Sequence, residues 1–404
     1  MGAEQKKEDN NGKSILNMGV VTMVVSHALV HAAGNMRSTL IPFIKEDFDL
    51  NNYQVGIISA IPPLAQAIFS IPAGWISDRS GAKNLVAFSV GLAALGSLIA
   101  GFAYDPWMYV VSAALMTLTM TFYHPPAHSY TARLAKPKDR AKAMGLLNAG
   151  GTFGISIGPF SIYLLMTFFG LAWRQMYQFW VVPIVLGIIM IMFTKTDPAG
   201  DTLNGNSHNH GEQEADADEP TSLLTKEFLL YISSRGVRMF GMSMVAPFLS
   251  LYLTEVRGWS VTDIGLMLGI SGILGLFFSP LGGYFASRFG EKKWVMGCFV
   301  VSSAAFLAAF YMPGVYPFMG MYLFYRLFGI MAMPGQASIT ARLSPPKQMG
   351  MGFALTFMPS SVTGILAPIV AAYVLNNYGY LPIFTVATVV MYMSVGLFAL
   401  AVKD

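Results

Sequence analysis

Apolar residues run through this chain in long stretches, and polar residues gather in short interruptions between them. A helix needs roughly 20 apolar residues to cross a hydrocarbon core of about 30 Å. Twelve such runs can be read, with approximate cores at 17–43, 53–77, 84–104, 107–133, 142–169, 175–194, 228–254, 262–286, 293–312, 316–341, 350–376 and 380–401. They are too continuous for the period-two alternation of a β-barrel. The expected fold class is an all-α polytopic membrane protein with twelve transmembrane helices. The pattern breaks once at length, at 195–226, where Asp, Glu, Asn, His, Gly and Thr take over. That stretch reads as a tether between an N-terminal six-helix bundle, 1–194, and a C-terminal one, 227–404.

A short polar pattern appears twice. Gly74, Asp78, Arg79, Gly81 and Lys83 recur, 209 residues on, as Gly283, Ser287, Arg288, Gly290 and Lys292. The same offset carries Gly56 to Gly265, Pro125 to Pro334, Arg133 to Arg342 and Pro159 to Pro368. One register held over that distance predicts a duplication.

Composition agrees with the pattern. Hydrophobic residues make up 54% and charged residues 11% of the chain, with a mean hydropathy of +0.54, whereas a soluble domain carries roughly 25% charge. Residues 1–13 are polar and the first apolar run is too long for a signal-peptide core, so no cleavable signal is expected. If the N-terminus stays where it was made, 18 of the 25 Lys and Arg fall on its side of the membrane. Three (Lys45, Arg174, Arg257) fall opposite and four lie within spans. The positive-inside rule then puts both termini in the cytoplasm, in the cytoplasmic (inner) membrane. The net charge of +4 is thus a topology signal and implies no nucleic-acid partner. Cys298 is the single cysteine, which excludes a disulfide framework.

The pattern Gly74-x-x-x-Asp78-Arg79-x-Gly81-x-Lys83, at the end of the second span, resembles the loop 2/3 signature of the major facilitator superfamily, and its weaker copy falls where loop 8/9 would be. The resemblance covers essentially the whole chain. It implies two pseudo-symmetric six-helix bundles working by alternating access, and a cavity lined by spans one, four, seven and ten. It also implies gating by the motif, in which Asp78 makes a contact that closes the cytoplasmic side in one conformation; Arg288 and Lys292 remain in the second copy, where Ser287 replaces the acid. The competing account of these charges is topology alone, with exposed pairs worth ~0–1 kcal/mol. Gly145, Gly154, Gly158 and Pro159 on the fifth span match the core of a motif of export-type members, small residues allowing close helix packing. The terminal Gly-Gly of that motif is replaced by Ile162-Tyr163. The run Phe122-Tyr123-His124-Pro125 is similar to exporters of the fosmidomycin-resistance type, alongside the drug:proton antiporters.

Ionisable groups within spans are costly and mark function. His27, His31 and Asn35 form a stripe at four-residue spacing on the first span, and His124 and His128 do the same on the fourth. Arg37 lies toward the outer end of the first span, Arg235 and Arg238 on the seventh and Arg326 on the tenth. No Asp or Glu lies near mid-span. A cavity lined by Arg and His without carboxylate attracts an anion or a solute with an anionic end. Arg238, Arg326, Arg37, His27, Asn35 and Tyr123 are the expected substrate-binding residues, and His31 and His124 the proton carriers; snorkelling arginines and hydrogen-bonded histidines are the structural alternative.

The expected function is secondary active transport of a small organic solute, anionic or amphiphilic, leaning to proton-coupled export. Organic-anion uptake or anion exchange is the alternative, and a non-transporting receptor or scaffold is the alternative of another class. A monomer in the lipid bilayer without a cofactor is expected. An enzyme is not: the His27-x-x-x-His31 pair lacks the glutamate of a zinc protease helix and any evident third ligand, and His208 and His210 in the acidic linker are a weak metal tract.

Overall fold

The computed structural model describes residues 17–79, 81–134, 140–194, 222–345 and 349–402, so most of the linker, with His208 and His210, lies outside the described residues. The described residues are helical apart from short connections, because lipid offers no partner to an open backbone group, and a helix satisfies its own. Fifteen helices follow one another: α1 (Met18–Asn35), α2 (Arg37–Asp47), α3 (Asn52–Arg79), α4 (Ala82–Gly101), α5 (Pro106–Leu134), α6 (Arg140–Phe169), α7 (Trp173–Phe193), α8 (Lys226–Val245), α9 (Leu249–Glu255), α10 (Val261–Phe289), α11 (Glu291–Tyr311), α12 (Val315–Met331), α13 (Met333–Arg342), α14 (Met349–Tyr378) and α15 (Tyr380–Ala401). Among the described residues, nine helical stretches are long and apolar enough to cross a membrane by length and composition.

The fifteen helices form twelve rods, because the first, seventh and tenth expected spans are each broken in two, at Met36, at 246–248 and at Ala332. Pro247 sits in the second break and Pro334 just after the third, where a missing N–H and a ring clash interrupt the ladder. No proline sits in the first. The duplication is visible in the helix starts: the offset of 209 carries Asn52 to Val261, Ala82 to Glu291, Pro106 to Val315 and Arg140 to Met349, each pair opening a helix.

Packing within the halves repeats as well. In the first, α1 lies on α6, α3 on α5, and α4 on α5 and α7; in the second, α8 lies on α14, α10 on α12, and α11 on α12 and α15. The halves meet through α3 against α14 and α6 against α10. Duplicated residues make this seam. A Cβ on Gly56 would stand 3.0 Å from the Pro368 carbonyl oxygen, and one on Gly265 2.6 Å from that of Pro159.

The seam is concentrated at the end of the molecule opposite the termini. There Ile41, Ile44, Leu50 and Val55 share one apolar cluster with Phe248, Leu251, Val261 and Leu375. Lys45 bridges to Glu255 at 2.6 Å, and Asn52 donates to Asn376 at 3.1 Å. The clusters nearer the termini each draw on one half only, Ala73, Leu85 and Phe122 in the first, Tyr231, Val295 and Phe398 in the second.

Candidate functional site

Four-residue spacing on α1 and α5 points two imidazole pairs at each other. His27 is buried, and His31, His124 and His128 are half-buried. The ring centroids of His27, His31 and His124 lie 4.8, 5.2 and 5.6 Å apart, and His128 stands 6.0 Å from His124. The ligating atoms of His27, His31 and His124 all fall within 4.8 Å of one another. His124 is the third imidazole that sequence spacing alone does not join to the His27–His31 pair.

The hydrogen bonds fix the tautomers. His27 Nδ1 lies 2.7 Å from the Leu147 carbonyl of α6. A carbonyl only accepts, so Nδ1 carries the hydrogen and neutral His27 presents a bare Nε2. His31 Nε2, 3.1 Å away, donates to it. The ring fits because α6 carries Gly151 at this depth, where a Cβ would come within 2.5 Å of His27 Cε1. Tyr123 stacks on His27 at 5.3 Å, its hydroxyl donating to the Met23 carbonyl at 2.9 Å and 2.8 Å from Ser26 Oγ. Asn35 donates back to the His31 carbonyl at 2.8 Å, which occupies its amide with its own helix.

The arginines divide into two kinds. Arg238 is buried and reaches away from α8 to α11, where it donates to Ser302 Oγ at 2.8 Å and Ser303 Oγ at 3.4 Å, its guanidinium carbon 3.9 Å over the Phe299 ring. Arg235 donates to Gln336 Oε1 of α13 at 2.6 Å and to the Thr356 carbonyl of α14 at 3.4 Å. Both arginines are therefore held inside the second half by partners that sequence spacing did not reveal; paired serines one turn from an aromatic on α11 were the available signal. Arg37 and Arg326 differ: each is half-buried and leaves one buried guanidinium nitrogen, Nη1 and Nε respectively, without a hydrogen-bond partner among the described residues. Among the described residues none of the four arginines pairs with a carboxylate.

The burial of Gly74 and the side chains of Asp78 and Arg79 lie outside what is described, and with them the acid of the expected gate. Lys83 donates to the Met192 and Thr194 carbonyls at the end of α7, at 2.9 and 2.5 Å, where a cation also suits the helix dipole. Gly81 sits at φ −56°, which any residue adopts, whereas its copy Gly290, at φ +86°, takes a backbone conformation that favours glycine. Arg288 donates to its own helix at Tyr284, 3.0 Å, and Glu291, at the start of α11, accepts from Ser338 and lies 3.9 Å from Arg342 of α13. On α6, Gly154 and Gly158 press against α1, but a Cβ on Gly145 would meet no other element within 4 Å among the described residues, so Gly145 takes no part there in the expected packing.

Residues 23–235 and 231–404 each match the Major Facilitator Superfamily. Multidrug resistance protein 2 of Bacillus subtilis (strain 168) is 23% identical over 277 residues, 68% of either chain. Multidrug resistance protein MdtG of Escherichia coli (strain SMS-3-5 / SECEC) is 22% identical over 382 residues, 91% of this chain and 90% of the relative. In structure, a bacterial homolog of the human lysosomal transporter Spinster, in an inward-facing and occupied conformation, superposes with a TM-score of 0.78 at 15% identity, covering 95% of this chain and 96% of that one. With its duplicated six-rod halves and a match that spans nearly all the described residues, this chain belongs to the Major Facilitator Superfamily, as a secondary membrane transporter whose relatives are named for drug resistance.

Proposed function

We propose that this protein exports a small organic solute, anionic or with an anionic end, by alternating access, with both termini in the cytoplasm. The observation that carries the reading is the pair of unsatisfied guanidinium nitrogens on Arg37 and Arg326 in a set of spans that offers no carboxylate to any of the four arginines among the described residues. A half-buried guanidinium with a free N–H is costly until an anion or water accepts from it. Arg238 adds positive charge that Ser302 and Ser303 solvate without neutralising. A simple cation is repelled by this field. Relatives named for multidrug resistance support the outward direction, and the one-sided seam supports rocking of one half on the other.

Drive by a proton gradient is the first reading of coupling, supported by the imidazole cluster, since histidine is the side chain whose ordinary pKa of about 6.5 lies in the working range. Exchange of one anion for another is the second, supported by the same unpaired arginines. Proteoliposome flux of a panel of organic anions and amphiphilic drugs tests both. Arg326→Gln should weaken apparent affinity by about 10- to 100-fold, the worth of a charge-assisted hydrogen bond of ~1.5–3 kcal/mol. Acceleration by an imposed pH gradient supports proton coupling, and acceleration by trapped anion supports exchange. Undiminished affinity in the Arg37→Gln, Arg326→Gln double variant overturns the anion assignment.

A further inference from the structure

We propose that His27, His31 and His124 form a binding site for a transition-metal ion of the zinc, cobalt and nickel kind, held between α1 and α5 inside the first half. The inference asks nothing of the titration of these groups, and it competes with the proton-coupling reading, because a ring nitrogen that ligates a metal ion holds no proton.

The argument is geometric. Three neutral imidazoles are the ligand set that such borderline ions favour, with Zn–N distances of about 2.0–2.1 Å, which puts ligand nitrogens of a tetrahedral site roughly 3.3 Å apart. The Nε2 atoms of His27 and His31 already stand 3.1 Å apart, an edge of such a tetrahedron, and the His124 ligand atom lies within 4.8 Å of both. Binding therefore requires His124 to turn its ring toward the pair and close the remaining gap. His27 is also prepared as metal-binding histidines are: its Nδ1–H is spent on the Leu147 carbonyl, which orients the ring and leaves Nε2 bare toward its neighbours. Packing holds that orientation, with Tyr123 stacked on the ring and the Cβ-free Gly151 of α6 close against it.

The metal-free cluster satisfies itself poorly. Its one hydrogen bond between rings is the His31-to-His27 contact, and His124 makes ring contacts without a hydrogen bond among the described residues. An ion would replace that single bond with three, the His31 hydrogen moving from Nε2 to Nδ1 so that Nε2 is free to ligate. No Asp or Glu of the described residues joins the group, which excludes the hard ions magnesium and calcium and leaves a fourth position for water or another exogenous ligand. Tyr123 is no candidate for it, because its hydroxyl is committed to Met23 and Ser26. The site joins α1 to α5, which belong to the same half, so occupancy does not by itself lock the two halves together.

The test uses full-length protein in detergent, stripped with chelator, with His208→Ala and His210→Ala introduced so that the linker histidines do not report. Zinc titrated by calorimetry should bind at one site per chain. His31→Ala or His124→Ala should weaken it by at least about 10-fold, since losing a ligand costs no less than losing its outer-shell partner. Zinc should also raise the thermal midpoint of the parent and leave the His124→Ala midpoint where it was. The cobalt form of the parent gives a second readout that needs no variant to fold: strong visible absorption of a tetrahedral nitrogen-rich site is expected. Absence of zinc binding in the linker-substituted parent, unchanged affinity in a folded His124→Ala variant, or a cobalt spectrum with only faint octahedral bands overturns the assignment.

Discussion

At Gly158 a Cβ would stand 2.3 Å from the Ala32 carbonyl oxygen, and at Gly154 2.2 Å from that of Ala28, so α6 lies on α1 backbone to backbone and a side chain at either place must push the helices apart. Packing replaces the hydrophobic driving force in lipid, and small residues are what permit it. Gly158→Val should destabilise the fold by about 1–3 kcal/mol, the usual cost of overpacking, read as a lower thermal midpoint in detergent. Gly145→Ala, with open space around it, should leave the midpoint unchanged. Equal midpoints in the two variants would show that the α1–α6 approach has slack. The contrast also marks what residue spacing conveys: Gly145, Gly154 and Gly158 belong to one sequence pattern, yet spacing says which face a glycine occupies and not whether another helix passes at that depth. Gly151 shows the converse, a residue outside the pattern on whose missing side chain the His27 ring depends.

The elements that matter most are the broken rods, α1 with α2 and α8 with α9, whose outer pieces carry Lys45 and Glu255 across the seam. Around that 2.6 Å pair, Lys45 also donates to Asn52 Oδ1 at 2.9 Å, and Tyr380 donates to Glu255 Oε2 at 2.7 Å, so four side chains hold one end shut. The pair is partly exposed, which limits it to ~0–1 kcal/mol; under the alternating access proposed above, that makes it a bias on the balance between states. Glu255→Gln should shift population by up to about 5-fold toward the state with this end open, and the Lys45→Glu, Glu255→Lys swap should recover most of it. Distances between spin labels at Asn51 and Asn377, both exposed at the closed end, report the shift; an unchanged distribution in Glu255→Gln would deny the pair any such role. Helix count was legible because apolar runs of membrane length have one solution. The breaks were not, since Pro247 and Pro334 accompany two of them while Pro62, Pro63, Pro125, Pro126 and Pro359 lie in continuous helices. Likewise the histidine stripes on α1 and α5 could be read from four-residue spacing, whereas their meeting, and the turn of Arg238 toward Ser302, depend on how rods pack, which no local period encodes.

Across the whole molecule the duplicated sequence acts as a duplicated interface. Gly56 packs on Pro368 and Gly265 on Pro159, the same two residue types at the same offset with the halves exchanged, so each repeat supplies both surfaces the other needs. That reciprocity was foreshadowed by the register of 209, though only the fold reveals that the shared residues touch. It carries a consequence for the polar linker. If α3 on α14 and α6 on α10 hold the halves together, the covalent tether serves mainly to raise their effective concentration, and two-dimensional confinement in a membrane supplies much of that in any case. Residues 1–194 and 227–404, produced as separate chains in one membrane, should therefore assemble and co-purify through a tag on either, and should recover a measurable share of the flux of the intact chain. Gly265→Leu, whose side chain would be driven onto the Pro159 carbonyl, should abolish co-purification of the split halves while the intact chain still reaches the membrane. Separate chains that never associate would move the cohesion of this molecule from its seam to its linker.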